Sequence, residues 1–355
     1  MKANGTRSNR KTDRCAGEVL GILTFLTVVM FAPLPSAADR GPCAVLPAGA
    51  DNPQEGFQPV PENHHPIAAR LKEHVRMLTQ TIGERSVAVP QHLELTADYL
   101  QTCFEEIDLP VRRQSYRYEQ LTVSNIVVKI EGRGSSAAHY VVGAHYDSVA
   151  GTVGADDNAS AVAVLLETAR SLTLDASPSS AVTFVGFALE EPPVFGSRSM
   201  GSRVYAAAAR REGIQITGMV CLEMVGYTCR DPGCQQYPFP LMFFGYPRTG
   251  DFIGIVGNFG SRDFSRRLKE SFQRSGHLPV VSLTVPFNGW IVPSVRLSDH
   301  ASFWDKGFPA VMVTDSAFFR NPHYHRPSDT METLDFDYMA RLVKSLAAFL
   351  REGGR

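Results

Sequence analysis

Apolar residues recur along this chain at two spacings, and the spacing changes several times. They return every three or four positions, as in amphipathic helices, in residues 66–84, 92–107, 158–172 and 336–350. Shorter apolar runs between these segments predict strands at 114–118, 124–130, 139–144, 181–189, 216–225, 241–245 and 309–314. The alternation predicts an α/β domain with three layers, α/β/α, around a central mixed and mostly parallel sheet.

The amino-terminal segment has the layout of a secretory leader. Basic residues occur between Lys2 and Arg14, an apolar stretch occupies residues 19–34, and Ser36-Ala37-Ala38 resembles a signal-peptidase site. We therefore expect residues 1–38 to be a signal peptide and the protein to be exported, either periplasmic or secreted. A leader that stays uncleaved would instead leave a membrane-anchored form.

The rest of the chain divides into two parts. Residues 39–65 are rich in Pro, Gly and Ala and lack periodicity, which predicts a linker or entry segment. Residues 66–355 contain every predicted helix and strand and no internal repeat. They are expected to form one domain.

Composition and charge narrow the choice of partners. The 355 residues are 44% hydrophobic and 20% charged, and the formal net charge is −1. Ordinary globular proteins have this composition, and no Lys/Arg-rich run follows the leader. A nucleic-acid partner is therefore not expected.

Five cysteines remain after the leader, and export would allow them to form disulfides. Cys229 and Cys234 are the best candidates, because the four residues between them are typical of a tight turn. A second possible pair is Cys43 with Cys103. Cys221 lies in an apolar run and is expected to be a buried thiol.

Residues with metal-binding chemistry follow several of the predicted strands. His145 and Asp147 come directly after the strand at 139–144, and positions i and i+2 of an extended chain point to the same side. A histidine that binds zinc usually donates its other ring N–H to a carboxylate. Asp147 could supply that carboxylate, although a histidine near an aspartate is also common on surfaces.

Two further acidic pairs lie at turns. Asp156 and Asp157 stand just before a predicted helix, where one acid could cap the helix and the other could bridge two cations. Glu190 and Glu191 end the strand at 181–189, and two adjacent carboxylates there need cations or strong donors unless the strand end is solvated.

One glutamate and a group of histidines complete the candidates. Glu223 interrupts an apolar run, and acids in such runs are rare unless paired or metal-bound. His323 and His325 lie close together, and His300 is a third candidate. Imidazole and carboxylate donors without thiolates suit catalytic zinc.

The order of these motifs resembles a known family. AHYDS, GADDNAS, LEE, CLEMVGY, SDHASFW and NPHYHRPSDT occur in the order found in the two-zinc aminopeptidases of bacterial leucyl aminopeptidase and aminopeptidase Y type. This family also includes glutaminyl cyclases and glutamate carboxypeptidases. The resemblance covers about residues 124–350 and implies a zinc-dependent exopeptidase-like fold.

The resemblance also implies roles for single residues. His145 and Glu223 would hold one zinc, and Glu191 and His325 the other. Asp156 would bridge the two, because the family's bridging ligand is the second residue after the motif's glycine and precedes a cis peptide bond.

The family's catalytic positions can be carried over in the same way. Glu190 would be the general base, and Tyr324 would donate a hydrogen bond to the developing oxyanion, unless it is only a packing aromatic. The chain departs from the usual pattern at Glu223, where many members carry aspartate, and at Pro192-Pro193, where a glycine-containing turn is more usual.

The expected activity is removal of residues from the free amino end of peptides with two Zn²⁺ per chain. Peptide substrates with a free amino terminus would be the partners, and an apolar first residue would be favoured. Three alternatives share the fold: a glutaminyl cyclase-like acyltransferase, a carboxypeptidase, and a receptor-like binding domain without catalysis.

Overall fold

The computed structural model describes residues 67–133, 138–174, 177–238, 242, 245–275 and 278–354. Contacts divide the chain into residues 1–59 and 60–355, and every described residue belongs to the second unit. The predicted leader and linker lie outside the described residues. Within the described part, no helix is both long and apolar enough to span a bilayer.

Eight strands form one mixed sheet in the order β1-β2-β4-β3-β5-β8-β6-β7. Their bounds are Arg112–Tyr118 (β1), Leu121–Ile130 (β2), His139–His145 (β3), Ala181–Phe187 (β4), Gly218–Glu223 (β5), Ile253–Asn258 (β6), Val280–Val285 (β7) and Ala310–Thr314 (β8). The pairs β3–β4, β3–β5, β5–β8 and β6–β7 are parallel, and the other three pairs are antiparallel. The predicted sheet is confirmed.

Helices flank this sheet. Their bounds are Ile67–Arg76 (α1), Pro90–Glu105 (α2), Ala161–Leu174 (α3), Gly201–Arg211 (α4), Arg262–Ser275 (α5), His300–Trp304 (α6) and Phe336–Arg351 (α7). α7 packs against α1, α3 and α5, whereas α4 packs against α6. On the α4/α6 side, Phe187 of β4 meets Tyr205 and Phe303 in a buried aromatic cluster.

Local sequence signals explain several helix ends. α2 begins with Pro90, whose missing N–H costs nothing at the first helical position. α7 follows Asp335, whose Oδ1 accepts a hydrogen bond from the Tyr338 backbone N–H at 2.8 Å. Sixteen residues then bury one apolar face against the core.

One predicted strand is absent from the described residues. Met242 and Gly245, from the segment predicted as a strand at 241–245, lie in a short helical turn and a loop. Met242 borders the apolar cavity described below. Leu241, Phe243 and Phe244 lie outside the described residues. The helices α4 to α6 and the strands β6 and β7 were not predicted.

The topology brings four strand ends together. β4, β3, β5 and β8 are adjacent and mutually parallel. Their carboxyl ends therefore lie at the same edge of the sheet, which is where open α/β sheets place their sites.

Candidate metal centre

Five predicted side chains meet at this edge of the sheet. His145 is the last residue of β3, and Glu223 is the last residue of β5. Glu190 and Glu191 follow the end of β4, and His325 lies on the segment after β8. The side chains of His145, Glu190, Glu191 and Glu223 are almost fully buried, and that of His325 is 30% exposed.

Asp157 connects two groups of candidate ligands. Its Oδ1 lies 3.4 Å from His145 Nε2, and its Oδ2 lies 3.2 Å from His325 Nε2. Glu223 Oε2 lies 3.5 Å from His145 Nε2, and Glu191 Oε2 lies 3.3 Å from His325 Nε2. One carboxylate thus offers one oxygen to each histidine, as a bridging ligand would.

The structure places Asp157, and not the expected Asp156, between the two histidines. Asp156 accepts a hydrogen bond from the Gly226 backbone N–H at 2.9 Å and another from Asn321 Nδ2 at 2.7 Å. Both of its oxygens are therefore engaged away from the histidines. The cis peptide bond expected directly after the bridging aspartate joins Asp157 to Asn158.

The turn that carries Asp157 is tied to the segment after β5. Asn158 donates from Nδ2 to the Leu222 carbonyl at 3.1 Å and accepts the Met224 N–H at 2.9 Å. Ser160 Oγ accepts the Val225 N–H at 3.1 Å. The side chains of Asp156, Asn158 and Ser160 thus face β5 and the residues that follow it. The side chain of Asp157 points toward the histidines instead.

The carboxylates of two aspartates hold the backbone of the candidate ligands in place. Asp147 accepts the backbone N–H groups of Glu190 and Glu191 at 3.0 and 2.9 Å. It also lies beside His145: Oδ1 is 3.4 Å from Nδ1, and its carbonyl oxygen is 3.2 Å away. The expected contact with His145 is therefore present, and the contact with the glutamates was not foreseen.

Asp329 holds the opposite side of the site in the same way. Its two oxygens accept the backbone N–H groups of Asp156 and Asp157 at 2.9 and 3.1 Å. Sequence reasoning quoted this residue within a motif but gave it no role. Its signal was an acid in the same motif as His325, and only the fold shows what it contacts.

Arg85 is a second residue that sequence reasoning missed. Its guanidinium, 1% exposed, donates to five carbonyl oxygens, including those of Tyr146 at 2.8 Å and Gly154 at 3.0 Å. It thus joins the end of β3 to the start of the turn that carries Asp157. Burial lowers the pKa of Arg85 to about 10, against the attraction of the nearby carboxylates.

The carboxylates of the site repel one another. Burial raises the pKa of Glu190 well above its ordinary value, and the charges of Glu223 and Glu191 add to the shift. Burial also raises the pKa of Glu191 to about 7, with a further contribution from Asp157. Such a group of buried acids calls for positive charge.

Contacts between the histidines and the carboxylates shift the pKa values of His325 and Asp157. Burial would lower the pKa of His325, but its hydrogen bonds to Asp157 and Glu191 outweigh burial and raise the pKa to about 10. Burial would likewise raise the pKa of Asp157, but hydrogen bonds with His145 and His325 bring it well below its usual range.

The donor set fits divalent metal. Ligand atoms of His145, Asp157 and Glu191 lie within 4.8 Å of one another. Among the described residues, His145 Nε2, Asp157 Oδ1 and Glu191 Oε1 are buried without a hydrogen-bond partner. Buried polar atoms are rarely left unpaired, so unpaired atoms of this kind fit a site that binds a cation.

Tyr324 stands beside the candidate ligands. Its ring stacks on His325 with centroids 3.8 Å apart, and burial raises the pKa of its phenol well above the ordinary value. Tyr324 and Glu223 also line an apolar cavity, whose other walls include Met242, Ile255 and Leu283. We call this space the apolar cavity.

Two histidines considered from the sequence lie elsewhere. His300 is buried, with Nε2 2.8 Å from the Val295 carbonyl oxygen. His323 Nδ1 lies 3.0 Å from Ser328 Oγ. Neither has a described ion pair with the candidate ligands.

The predicted disulfide Cys229–Cys234 is present. Cys103 is a buried free thiol, which contradicts its proposed pairing, and Cys43 lies outside the described residues. Cys221 is buried and free, as expected. The residues just after the disulfide, Gln235 and Gln236, also line the apolar cavity.

The mixed sheet and the carboxylate and histidine side chains at its edge match the α/β fold and the metal-binding chemistry expected from the motifs. Residues 125–350 match the model of Peptidase family M28, and the chain belongs to that family. The resemblance noted in the sequence is thereby confirmed.

Two relatives illustrate the match. YfbL of Escherichia coli (strain K12), an uncharacterized protein, is 37% identical over 294 residues, which are 81% of this chain and 88% of YfbL. A probable leucine aminopeptidase of Trichophyton verrucosum (strain HKI 0517) is 28% identical over 248 residues, 66% of this chain. The alignment spans only 58% of the fungal protein.

Solved structures share the fold. LapA aminopeptidase of Legionella pneumophila has a TM-score of 0.61 at 21% identity, over 81% of this chain and 74% of LapA. BSAP, a zinc aminopeptidase of Bacillus subtilis, has a TM-score of 0.62 at 15% identity, over 81% and 94%. Glutaminyl cyclase of Porphyromonas gingivalis has a TM-score of 0.60 at 17% identity, over 81% of this chain and 98% of the cyclase. At these identities the similarity concerns the fold alone.

Proposed function

We propose that this protein is a two-zinc aminopeptidase that removes apolar residues from the free amino end of peptides. One observation carries the proposal: the two oxygens of Asp157 face His145 and His325 separately, with Glu190 beside them. The relatives named as leucine aminopeptidases support the peptidase assignment. The zinc in the name of BSAP supports the choice of metal.

The proposed ligands form two sets that share Asp157. His145 and Glu223 would complete one set, and Glu191 and His325 the other. When bound, the two zinc ions would lower the pKa of a water molecule and polarise the scissile carbonyl.

Glu190 is proposed as the general base. Its Oε2 lies 3.9 Å from His145 Nε2, farther than any of the proposed ligand contacts, and its backbone is held by Asp147. The carboxylate would take a proton from the attacking water and return it to the leaving nitrogen. A pKa raised by burial suits the second of these transfers.

Tyr324 and Asp147 have supporting roles in this proposal. The phenol of Tyr324, fixed by stacking on His325, would donate a hydrogen bond to the developing oxyanion. Asp147 would keep His145 and the two glutamates oriented.

The apolar cavity supports the substrate preference. It begins at Glu223 and Tyr324 and continues between apolar side chains, so a first side chain that enters it would leave the α-amine near the carboxylates. An ammonium group is attracted there, whereas an acetylated terminus brings no charge. Apolar contacts discriminate among side chains by only about 1–3 kcal/mol.

The test is an assay of the purified protein with its metal content measured on the same sample. Leucine peptides with a free amine should be cut at the amino end, N-acetylated copies should be nearly inert, and the protein should hold about two zinc ions per chain. Equal cleavage of acetylated peptides, or release from the carboxyl end, would contradict the proposal. Cyclisation of amino-terminal glutamine instead of hydrolysis would indicate a glutaminyl cyclase.

A further inference from the structure

A second cleft adjoins the proposed catalytic site and shares Leu297 with the apolar cavity. Six apolar residues contribute to its walls: Phe195, Met200, Trp290, Pro293, Leu297 and Ala301. Two cationic side chains, Arg203 and Arg296, also line it. We call this space the Trp290 cleft.

The Trp290 cleft is continuous with the catalytic site. Leu297 lines both this cleft and the apolar cavity. The next residue, Ser298, donates from Oγ to Glu223 Oε2 at 2.6 Å. On the other wall, the Phe195 backbone N–H donates to the Glu191 carbonyl at 3.1 Å. Each wall therefore starts at a proposed zinc ligand.

The cleft lies where the leaving part of a peptide would emerge. In the proposed mechanism Glu190 returns its proton to the leaving nitrogen, and the chain that follows Glu190 and Glu191 leads directly to Phe195. The apolar cavity is on the Tyr324 side and takes the first side chain. The second residue of the substrate would then lie over the Trp290 cleft.

Trp290 presents an aromatic surface in a fixed position. Trp290 is 66% exposed, and the Arg296 guanidinium carbon lies 3.9 Å from the centroid of its ring. Arg296 in turn donates to the Asn288 carbonyl at 2.6 Å and to Asp305 Oδ1 at 2.7 Å. An exposed ring held on one face by an anchored cation can offer its other face to a ligand.

The charge around the cleft is positive. Arg203 lies 3.5 Å from Asp305 Oδ2, so two arginines share one carboxylate. Among the described residues, Arg203 Nε is also buried without a hydrogen-bond partner. The cleft therefore combines apolar walls with an excess positive charge that would repel a lysine or arginine side chain.

We propose that the Trp290 cleft binds the side chain of the second substrate residue, favours apolar and aromatic side chains there, and rejects cationic ones. This inference rests on the proposed aminopeptidase function. It assigns selectivity to a surface other than the apolar cavity.

The test compares kcat/KM for three tripeptides, Leu-Phe-Ala, Leu-Gly-Ala and Leu-Lys-Ala, at the zinc-loaded enzyme. The kcat/KM for Leu-Phe-Ala should exceed that for Leu-Gly-Ala by about tenfold, which is the range of discrimination that an apolar pocket supplies. The kcat/KM for Leu-Lys-Ala should be lower than that for Leu-Gly-Ala. Trp290→Ala should bring the Phe/Gly ratio close to one, and Trp290→Phe should retain most of it.

Two further variants sharpen the test. Phe259→Ala removes another aromatic side chain, 61% exposed and outside both cavities, and should leave the Phe/Gly ratio unchanged. Arg203→Gln should raise the Lys/Gly ratio while leaving the Phe/Gly ratio nearly constant.

The outcomes separate this inference from the proposed function. Equal rates for the three tripeptides, or an unchanged Phe/Gly ratio in Trp290→Ala, would overturn the role of the cleft while the aminopeptidase assignment stood. If none of the tripeptides lost its leucine, the aminopeptidase assignment would fall, and the role of the cleft with it.

Discussion

Two neighbouring aspartates have opposite environments. Asp156 is engaged by Gly226 and Asn321, and Asp157 faces the two histidines. Both are buried, so exposure does not distinguish them. The difference comes from the direction in which each side chain points, because hydrogen bonds to β5 and the residues after it hold one side of the turn.

Replacing each aspartate by asparagine should separate the two roles. Asp157→Asn removes the bridging charge, and we expect loss of at least one zinc and of nearly all activity. Asp156→Asn should keep both metals but lower the free energy of unfolding by about 1–3 kcal/mol, because one buried hydrogen bond to Asn321 is lost. Elemental analysis and chemical denaturation measure the two effects. Zinc loss confined to Asp156→Asn would return the bridge to that residue.

The two adjacent glutamates should separate in the same way. Glu190→Gln should retain fold and zinc while kcat falls about 10²–10⁴-fold, the usual contribution of a general base. Glu191→Gln is the matched change and should lose zinc along with activity. If Glu190→Gln lost zinc and Glu191→Gln kept it, the roles of base and ligand would be reversed.

The types of the site residues could be predicted from the sequence, and their directions could not. Glu223 was identifiable because an acid in an apolar strand needs a partner. The choice between Asp156 and Asp157 depends on which way a six-residue turn faces. That is decided by hydrogen bonds to β5, more than sixty residues away in the sequence.

At the scale of elements, the turn Ala155–Ser160 fixes the site. It begins after Gly154, which has φ +52°, and a Cβ there would overlap the carbonyl oxygen of Asp157 and the Cβ of Ser148. Only glycine fits this position without moving the turn.

Gly154→Ala should therefore weaken zinc binding. The added methyl group must shift the turn, and a left-handed backbone costs a non-glycine residue about 1–3 kcal/mol. Gly151→Ala is the control, because Gly151 has φ +86° with no atom within 4 Å of a Cβ. Both variants should be less stable, but only Gly154→Ala should lose zinc affinity in a chelator titration. Equal affinity in the two variants would contradict the role assigned to Gly154.

Some elements could not be predicted from local pattern. α5 carries only three apolar core positions, Phe264, Leu268 and Phe272, on a helix that is otherwise polar or charged. β6 contains two glycines, which weaken the strand signal. The segment predicted as a strand at 241–245 has a strand-like composition, and its described residue Met242 lines a cavity, where an apolar side chain is as well suited as in a sheet.

At the scale of the whole molecule, buried ionisable groups link stability to pH. His300 is fully buried, and its ring packs edge-on against Trp304 with centroids 4.5 Å apart. Burial lowers the pKa of His300 to about 4, while the Val295 carbonyl partly opposes the shift. The folded protein therefore keeps this histidine neutral where the unfolded chain would be protonated.

His300 should make the protein less stable as the pH falls from about 6.5 to 4. In that window the unfolded state binds more protons, so its population grows on acidification; above 6.5 both states are neutral and the effect vanishes. The loss from this group is about 3 kcal/mol by pH 4. Unfolding curves of wild type and His300→Gln measured at pH 7 and pH 4 isolate it. Parallel pH dependence of the two proteins would show that His300 does not titrate in this way.

The four adjacent parallel strands that carry the site have a consequence for how such an enzyme diversifies. Neighbouring strands are spaced by the backbone hydrogen bonds between them, about 4.8 Å apart, so the positions at their ends are dictated by the sheet. Part of the walls of both cavities comes instead from connecting segments, such as those that carry Met242 and Trp290. Segments of this kind tolerate exchange and insertion. Evolution or an engineer can therefore replace the substrate preference by exchanging these segments, while the reactive machinery is inherited unchanged from the sheet.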